Sequence, residues 1–440
     1  MCNHAARRAT KNRANLPGAS EVYQVVAAAH KRIPDALTQS GDYSFTRGGP
    51  LSVELLTTFL LFMVAEGRDR GLRHVVLDFW DRARDSNVPL PLGDPVSASA
   101  IGQARQRLPA DFFRLLLNGM ADDVDDCTSP KRWHGRRVYA VDGQKLNVGT
   151  WPELKDAFGV AEGSYCPQVL LSALVDVLTR TPVDYEVDGR LAVGEREHFL
   201  RMLPSISPGD LVVLDRGYPS HEVLQETVAA GVDFLIRVPE NGSFDQVTKF
   251  ARSGRASALT TISPPGGANS QWRDLDVRLV RIEGAEGASF YVTSLCSPDI
   301  SVQDFASLYH LRWQSEEFFK LFASDYAGQG QFRSRTAPGI RQEIGALMLF
   351  LAISRVMATA ANEAVDDPQK FVSQKGAVLS FRYHLLAILL EERPGRVMAS
   401  IARSMERMLL TLDHRRPGRS YPRRSFRPRP KWGPSGRVGA

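Results

Sequence analysis

Cysteine is scarce: Cys2, Cys127, Cys166 and Cys296 in a chain of 440 residues. No two stand in a Cys-x-x-Cys pair. The scatter offers neither a zinc-ligand pattern nor a disulfide framework, and it suits a reducing compartment. Long apolar runs are lacking too. The most apolar stretches, "LLTTFLLFMVA" and "IGALMLFLAIS", fall short of the roughly 20 residues that cross a bilayer. Both are expected to be buried helices. The start "MCNHAARRATKNR" has no apolar run behind it, so no signal peptide is expected. A soluble, cytoplasmic protein without membrane contact is the resulting expectation.

Acid is missing from the end of the chain. After Asp413, "HRRPGRSYPRRSFRPRPKWGPSGRVGA" holds eight Arg, one Lys and no Asp or Glu. The whole chain carries +6, so residues 1–413 together carry about −3. The basicity is therefore an appendage. Such a block favours a polyanionic partner, nucleic acid before acidic membrane, with a merely solvated tail as the alternative. Arg415, Arg416, Arg423 and Arg424 are its candidate contacts.

What is present is globular: 43% hydrophobic and 24% charged residues, enough for two or three domains. Residues 1–50 are mixed and Gly-punctuated, a partly disordered segment. Residues 51–130 read as a helical N-terminal domain, with Ser97 and Ser99 as candidate N-caps. From Arg136 the character changes. "RRVYAVDGQKLNVG", "PQVLLSALVDVLTRTPVDYEVDG", "GDLVVLDRGYPS" and "VDFLIRVP" read as strands, with helices at "VGEREHFLRMLPSI" and "SHEVLQETVAAG". The order predicts a mixed α/β sheet over 131–239. Residues 240–298 break it with Gly and Pro clusters and two long strands joined at "GAEG", a β insertion. A helix begins near Ser301, where "SVQD" is a capping signal. The core resumes over 299–360, a C-terminal helical region fills 361–412, and 413–440 form the basic tail.

Three acids stand in apolar surroundings, where an unpaired charge is costly: Asp142 in "VYAVDGQ", Asp215 in "LVVLDRG" and Glu316 in "YHLRWQSEEFFK". Singly, each has a local explanation, a turn or a cap. Together they suggest three carboxylates converging at a sheet edge. Oxygen donors with few nitrogens or thiolates suit Mg²⁺ or Mn²⁺. At about 100° per residue, Tyr309, Arg312, Glu316 and Lys320 share one helix face and Glu317 lies off it. Arg312 stands four residues before Glu316 and can orient it. Surface ion pairs are the alternative for this helix.

These stretches resemble the DDE transposases of bacterial insertion sequences, specifically the insertion sequence 4 family. Tyr309, Arg312 and Glu316 fit that family's signature spacing, while Ala323 stands where its Lys is expected. "AVDGQKL" resembles the first-acid strand, "LDRGYPS" the second-acid motif, and "FRSRTAPGIRQEIGALML" the segment after the third acid. The likeness spans about residues 50 to 360. It implies a ribonuclease H-like core interrupted by a β insertion. It also implies cutting and joining of double-stranded DNA at an element's terminal inverted repeats, and transfer into target DNA. Asp142, Asp215 and Glu316 would hold two Mg²⁺ or Mn²⁺ ions. Tyr309, Arg312 and Lys320 would contact DNA phosphates, and a homodimer on paired DNA ends and a nucleoid location follow. Trp272 would stack a flipped end base, a buried strand Trp being the alternative. Two rival readings are an impaired DNA-binding descendant of a transposase and an unrelated Mg²⁺ nuclease or phosphatase.

Overall fold

The computed structural model describes residues 16–39, 51–66, 71–128, 131–242, 244–267, 269, 271–284, 287–322 and 332–414. Its centre is an eight-stranded mixed sheet. Strands β1 (Val138–Asn147), β2 (Gln168–Asp176) and β3 (Thr181–Gly189) form an antiparallel meander. Strands β4 (Leu211–Leu214) and β5 (Asp233–Val238) follow on the other side of β1 and run parallel to it. The order β3-β2-β1-β4-β5 with these directions is ribonuclease H-like. The short "LVVL" of β4 is buried at every position. Covered on both faces, it reads as a continuous apolar run rather than an alternating one.

The residues between β5 and the Glu316 helix do not make a layer of their own. Strands β6 (Ser257–Ile262), β7 (Leu275–Gly284) and β8 (Gly287–Thr293) continue the same sheet, β8 pairing antiparallel with β5. The sequence pattern shows the β7–β8 hairpin but not this edge pairing, because register between distant strands leaves no local mark.

Helices α1 (Ala19–Lys31) and α2 (Ile33–Gln39) lie in the stretch expected to be partly disordered. Helices α3 (Val53–Ala65), α4 (Leu72–Asp85), α5 (Ala98–Gln106) and α6 (Phe112–Cys127) follow. After the sheet come α13 (Ala337–Asn362), α14 (Gln374–Leu389) and α15 (Pro394–Leu409). One hydrophobic core joins these N- and C-terminal helices to one side of β2 and β3. Helix α13 is long and apolar enough to cross a membrane, but its most apolar window is 94% buried inside the protein. Arg105 of α5 reaches into this core to meet Glu343 of α13 at 3.2 Å.

Between β1 and β2 lies α7 (Pro152–Phe158). The sheet's far half is covered by α8 (Glu195–Met202), α9 (His221–Ala229) and α10 (Asp245–Ser253) on one face, which share a core with Val141, Val212 and Ile236. The opposite face carries α11 (Val302–Leu311), packed through Phe305 and Leu308 on Ala140, Val213 and Leu235. Helix α12 (Trp313–Leu321) continues α11 after a break at Arg312.

Candidate active site

The site is built by parallel strands. Ala140 of β1 lies beside Val213 of β4. Two residues on stand Asp142 of β1 and Asp215, which directly follows β4; continuing that register would set them side by side, neighbouring strands being about 4.8 Å apart. Side chains alternate along a strand, so both acids fall on the face of Ala140 and Val213. That is the face covered by α11. Each carboxylate is steadied locally. The Gly143 N–H donates to Asp142 Oδ1 at 2.9 Å, and the Gly217 N–H donates to Asp215 Oδ1 at 2.7 Å.

Glu316 arrives from α12, which lies against β1. Arg312 Nη2 donates to Glu316 Oε1 at 2.5 Å. The Arg312 guanidinium also lies 5.7 Å from the centre of the Tyr309 ring, and Tyr309 meets Tyr291 edge-on at 4.7 Å. Arg312 is largely buried, yet its Nε has no hydrogen-bond partner among the described groups. The helix is tightened here. The Arg312 N–H bonds to Tyr309 O, the Ser315 N–H to Arg312 O, and the Ser315 hydroxyl takes the same carbonyl at 2.8 Å. Such capture of a carbonyl by Ser competes with the regular helix ladder.

Asp142 is pushed up to about 6. Burial is the largest cause; the Gly143 N–H and Arg312 oppose it, and Glu195 and Glu316 add to it. Glu195 was not singled out by the sequence. It opens α8 and faces Asp215 across the sheet end; burial, then Asp215, pushes it up as well. Gly143 makes room for it: a Cβ there would lie 2.6 Å from Glu195 Oε1. The one signal in the sequence is that glycine beside Asp142, which reads equally well as a turn. Tyr218, third after Asp215, is fully buried next to Glu195, Asp142 and Asp215, and its hydroxyl has no partner among the described groups.

This donor set fits a hard divalent cation. It is rich in carboxylate oxygen, crowded with like charge, and bordered by two buried polar groups, Tyr218 Oη and Arg312 Nε, that lack partners. The ligand atoms do not yet close on a single point. Among the described residues, the group whose atoms all lie within 4.8 Å is Glu186, Asp188 and His198. Those carboxylates are already neutralised. Glu186 pairs with Arg114, and Asp188 meets Arg201 at 2.7 Å and Arg341 at 2.9 Å. His198 Nδ1 is bound to the Ser172 hydroxyl at 2.9 Å. A cation there would have to displace arginines, so this cluster reads as a structural ion network.

No described contact joins Lys320 or Trp272 to the three acids. Lys320 stands four residues after Glu316 on α12, but it is 60% exposed, pairs with Glu317 and sits 5.1 Å over the Trp313 ring. Trp272 is not in a strand; it is half-buried in the loop before β7, and its indole N–H has no partner among the described groups. Ala323 and Arg415, Arg416, Arg423 and Arg424 lie outside the described residues. Cys127, Cys166 and Cys296 are free thiols.

Residues 133–353 match the family described as the transposase DDE domain. The match holds both strand acids and Glu316. The transposase InsG for insertion sequence element IS4 of Escherichia coli (strain K12) is 22% identical over 407 residues, covering 89% of this chain and 88% of that protein. A cryo-EM structure of the piggyBac transposase synaptic complex with hairpin DNA covers 87% of this chain and 82% of its own, at 12% identity and a TM-score of 0.43. The chain belongs to the DDE transposase family, in its insertion sequence 4 group, and is an enzyme that acts on DNA.

Proposed function

We propose that this transposase moves its element by cut-and-paste: it cleaves double-stranded DNA at the terminal inverted repeats and joins the freed ends to target DNA. The observation that carries the reading is the parallel register of β1 and β4, which brings Asp142 of β1 and Asp215, just past β4, to the same sheet end, with Glu316 near enough to raise Asp142. Asp142, Asp215 and Glu316 would hold Mg²⁺ or Mn²⁺, two ions in the fullest form. The metal would supply Lewis-acid charge stabilisation to phosphoryl transfer. No Ser, Tyr or Cys nucleophile is then needed.

The chain's own groups do the positioning. The Gly143 and Gly217 N–H groups fix the rotation of the two strand carboxylates. Arg312 holds Glu316 and keeps its Nε–H available for a phosphate oxygen beside the cut, with Tyr309 bracing the guanidinium. Lys320 would meet phosphate at the outer rim, Trp272 would offer its ring to an unpaired end base, and the Arg residues of the tail would follow the duplex. Two ends brought together call for a homodimer.

The test is cleavage of a duplex carrying the terminal inverted repeats that flank the gene. Cutting at the repeat ends in Mg²⁺, abolished by a chelator and restored by Mn²⁺, is the expected result. Binding of those ends without cutting in any divalent metal would favour the impaired descendant. Cutting without preference for the ends would contradict the proposed substrate.

A further inference from the structure

The other end of the sheet carries a second concentration of charge. β2 runs antiparallel to β1 with Asp176 beside Tyr139, so the β2–β3 turn lies at the start of β1, away from Asp142 and Asp215. A recess of about 230 Å³ opens there between this turn, the C-terminal part of α13 and strand β9 (Lys370–Val372). Its lining includes Lys131, Arg180, Arg355 and Lys370 against one carboxylate, Asp367. Asp367 is already committed: it stands 3.3 Å from Lys370 Nζ and accepts the Gln369 N–H.

Arg355 is the unusual member. It is 5% exposed, and only its Nη2 has a partner, the Thr179 carbonyl at 3.2 Å. Nε and Nη1 have none among the described groups. Nε carries one N–H and Nη1 two, so three charged donors are unspent in the interior. A buried charge without a partner is strongly destabilising. No described carboxylate acts on it: burial, then the neighbouring cation Arg180, pushes the guanidinium down to about 9. Arg180 itself is held at φ 62, in the left-handed region that non-glycine residues seldom occupy, with its guanidinium 5.2 Å over the Phe371 ring. The turn thus holds one arginine in an unfavourable conformation beside another that lacks an anion.

We propose that this recess is a phosphate-binding site, in which Arg355 takes the anion and Arg180 and Lys131 complete the contact from the rim. The room, the surplus of cations and the planar donor set suit a multiply charged oxyanion better than a halide. The phosphate can come free in solution or as part of a DNA backbone. The site lies apart from the three acids and does not depend on their assignment.

The test uses the full chain, as wild type, Arg355→Met and Lys131→Gln. Thermal unfolding is followed in rising sodium phosphate, with sodium chloride at matched ionic strength as the control. Phosphate is expected to raise the wild-type Tm saturably. Arg355→Met should lose about tenfold or more in phosphate affinity. Without phosphate this variant should melt no lower than wild type, since it removes a buried unpaired charge. Lys131→Gln is exposed, keeps the fold and should weaken the response. A second arm measures binding of a short random-sequence duplex to the same proteins. Weaker duplex binding by Arg355→Met identifies the anion as backbone phosphate; unchanged duplex binding with a lost phosphate response identifies a small free anion. If neither free phosphate nor duplex distinguishes the variants from wild type, the site does not exist.

Discussion

Glu316 and Glu317 are adjacent in the chain and have different partners. Glu316 is held by buried Arg312 and faces Asp142; Glu317 pairs with exposed Lys320. Glu316→Gln should therefore abolish strand cleavage. Glu317→Gln should stay within about twofold of wild type, as an exposed pair contributes little. Equal losses in a cleavage assay would contradict the assignment. Asp142 gives a prediction without DNA. Its carboxyl is raised from 3.8 to about 6 in the fold, so the folded state holds the proton more tightly than the unfolded chain. Its stabilising contribution is full below about pH 3.8 and is lost as pH rises to about 6. Above that, ionised Asp142 costs the metal-free protein up to about 3 kcal/mol. Asp142→Asn should raise the urea midpoint of metal-free protein at pH 7 and flatten its dependence between pH 4 and 6. An unchanged midpoint would mean that Asp142 is not desolvated. The three acids were visible as candidates because each interrupts apolar sequence. Glu195 was not, because an acid in the first turn of a helix is ordinary on its own, and only the space at Gly143 gives it a different meaning.

The element that delivers Glu316 is anchored at its start. Ser301 and Asp304 form a reciprocal capping box at the N-terminus of α11. Ser301→Ala should lower stability by about 1 kcal/mol, read from urea unfolding, and should slow cleavage more than it weakens DNA binding. A variant with wild-type stability would show that water replaces the cap without loss. The sequence reads one helix from Ser301 through Lys320, and the capping signal places its start correctly. The break at Arg312 was hidden: it comes from the Ser315 hydroxyl taking a carbonyl, with no Pro or Gly to announce it. The break separates Tyr309 from Glu316; Glu316 and Lys320 both stand in α12, where Lys320 pairs with Glu317 three residues before it. The strands β1 to β5 were legible as apolar runs. The union of β6, β7 and β8 with the same sheet was not, since pairing partners are set by tertiary packing.

At the scale of the molecule, the described residues form one eight-stranded sheet and a small two-stranded one with helices around them, and the excess positive charge of the sequence falls in residues 414–440. Removing residues 414–440 takes away nine basic residues and no group of the acid site. If three of them engage DNA, the slope of log affinity against log salt should fall by about 2.7, at about 0.9 per phosphate. The loss should be alike for end and random duplexes, because phosphate contacts position without specifying. Superimposed salt titrations would show that the tail touches no DNA. Composition alone singles out this basic stretch, which lies almost wholly outside the described residues. The shared core of the N- and C-terminal helices was not visible, because residues far apart in the chain build it.

The most direct test of the central claim separates binding from cutting in one variant. Wild-type and Asp142→Asn proteins are compared on the same end duplex in Mg²⁺, with affinity measured by mobility shift and cleavage by single-turnover kinetics. The substitution keeps size and removes one negative charge from the proposed metal site. The account predicts wild-type affinity for the ends and cleavage at least about 100-fold slower. Cleavage by Asp142→Asn at the wild-type rate would contradict it.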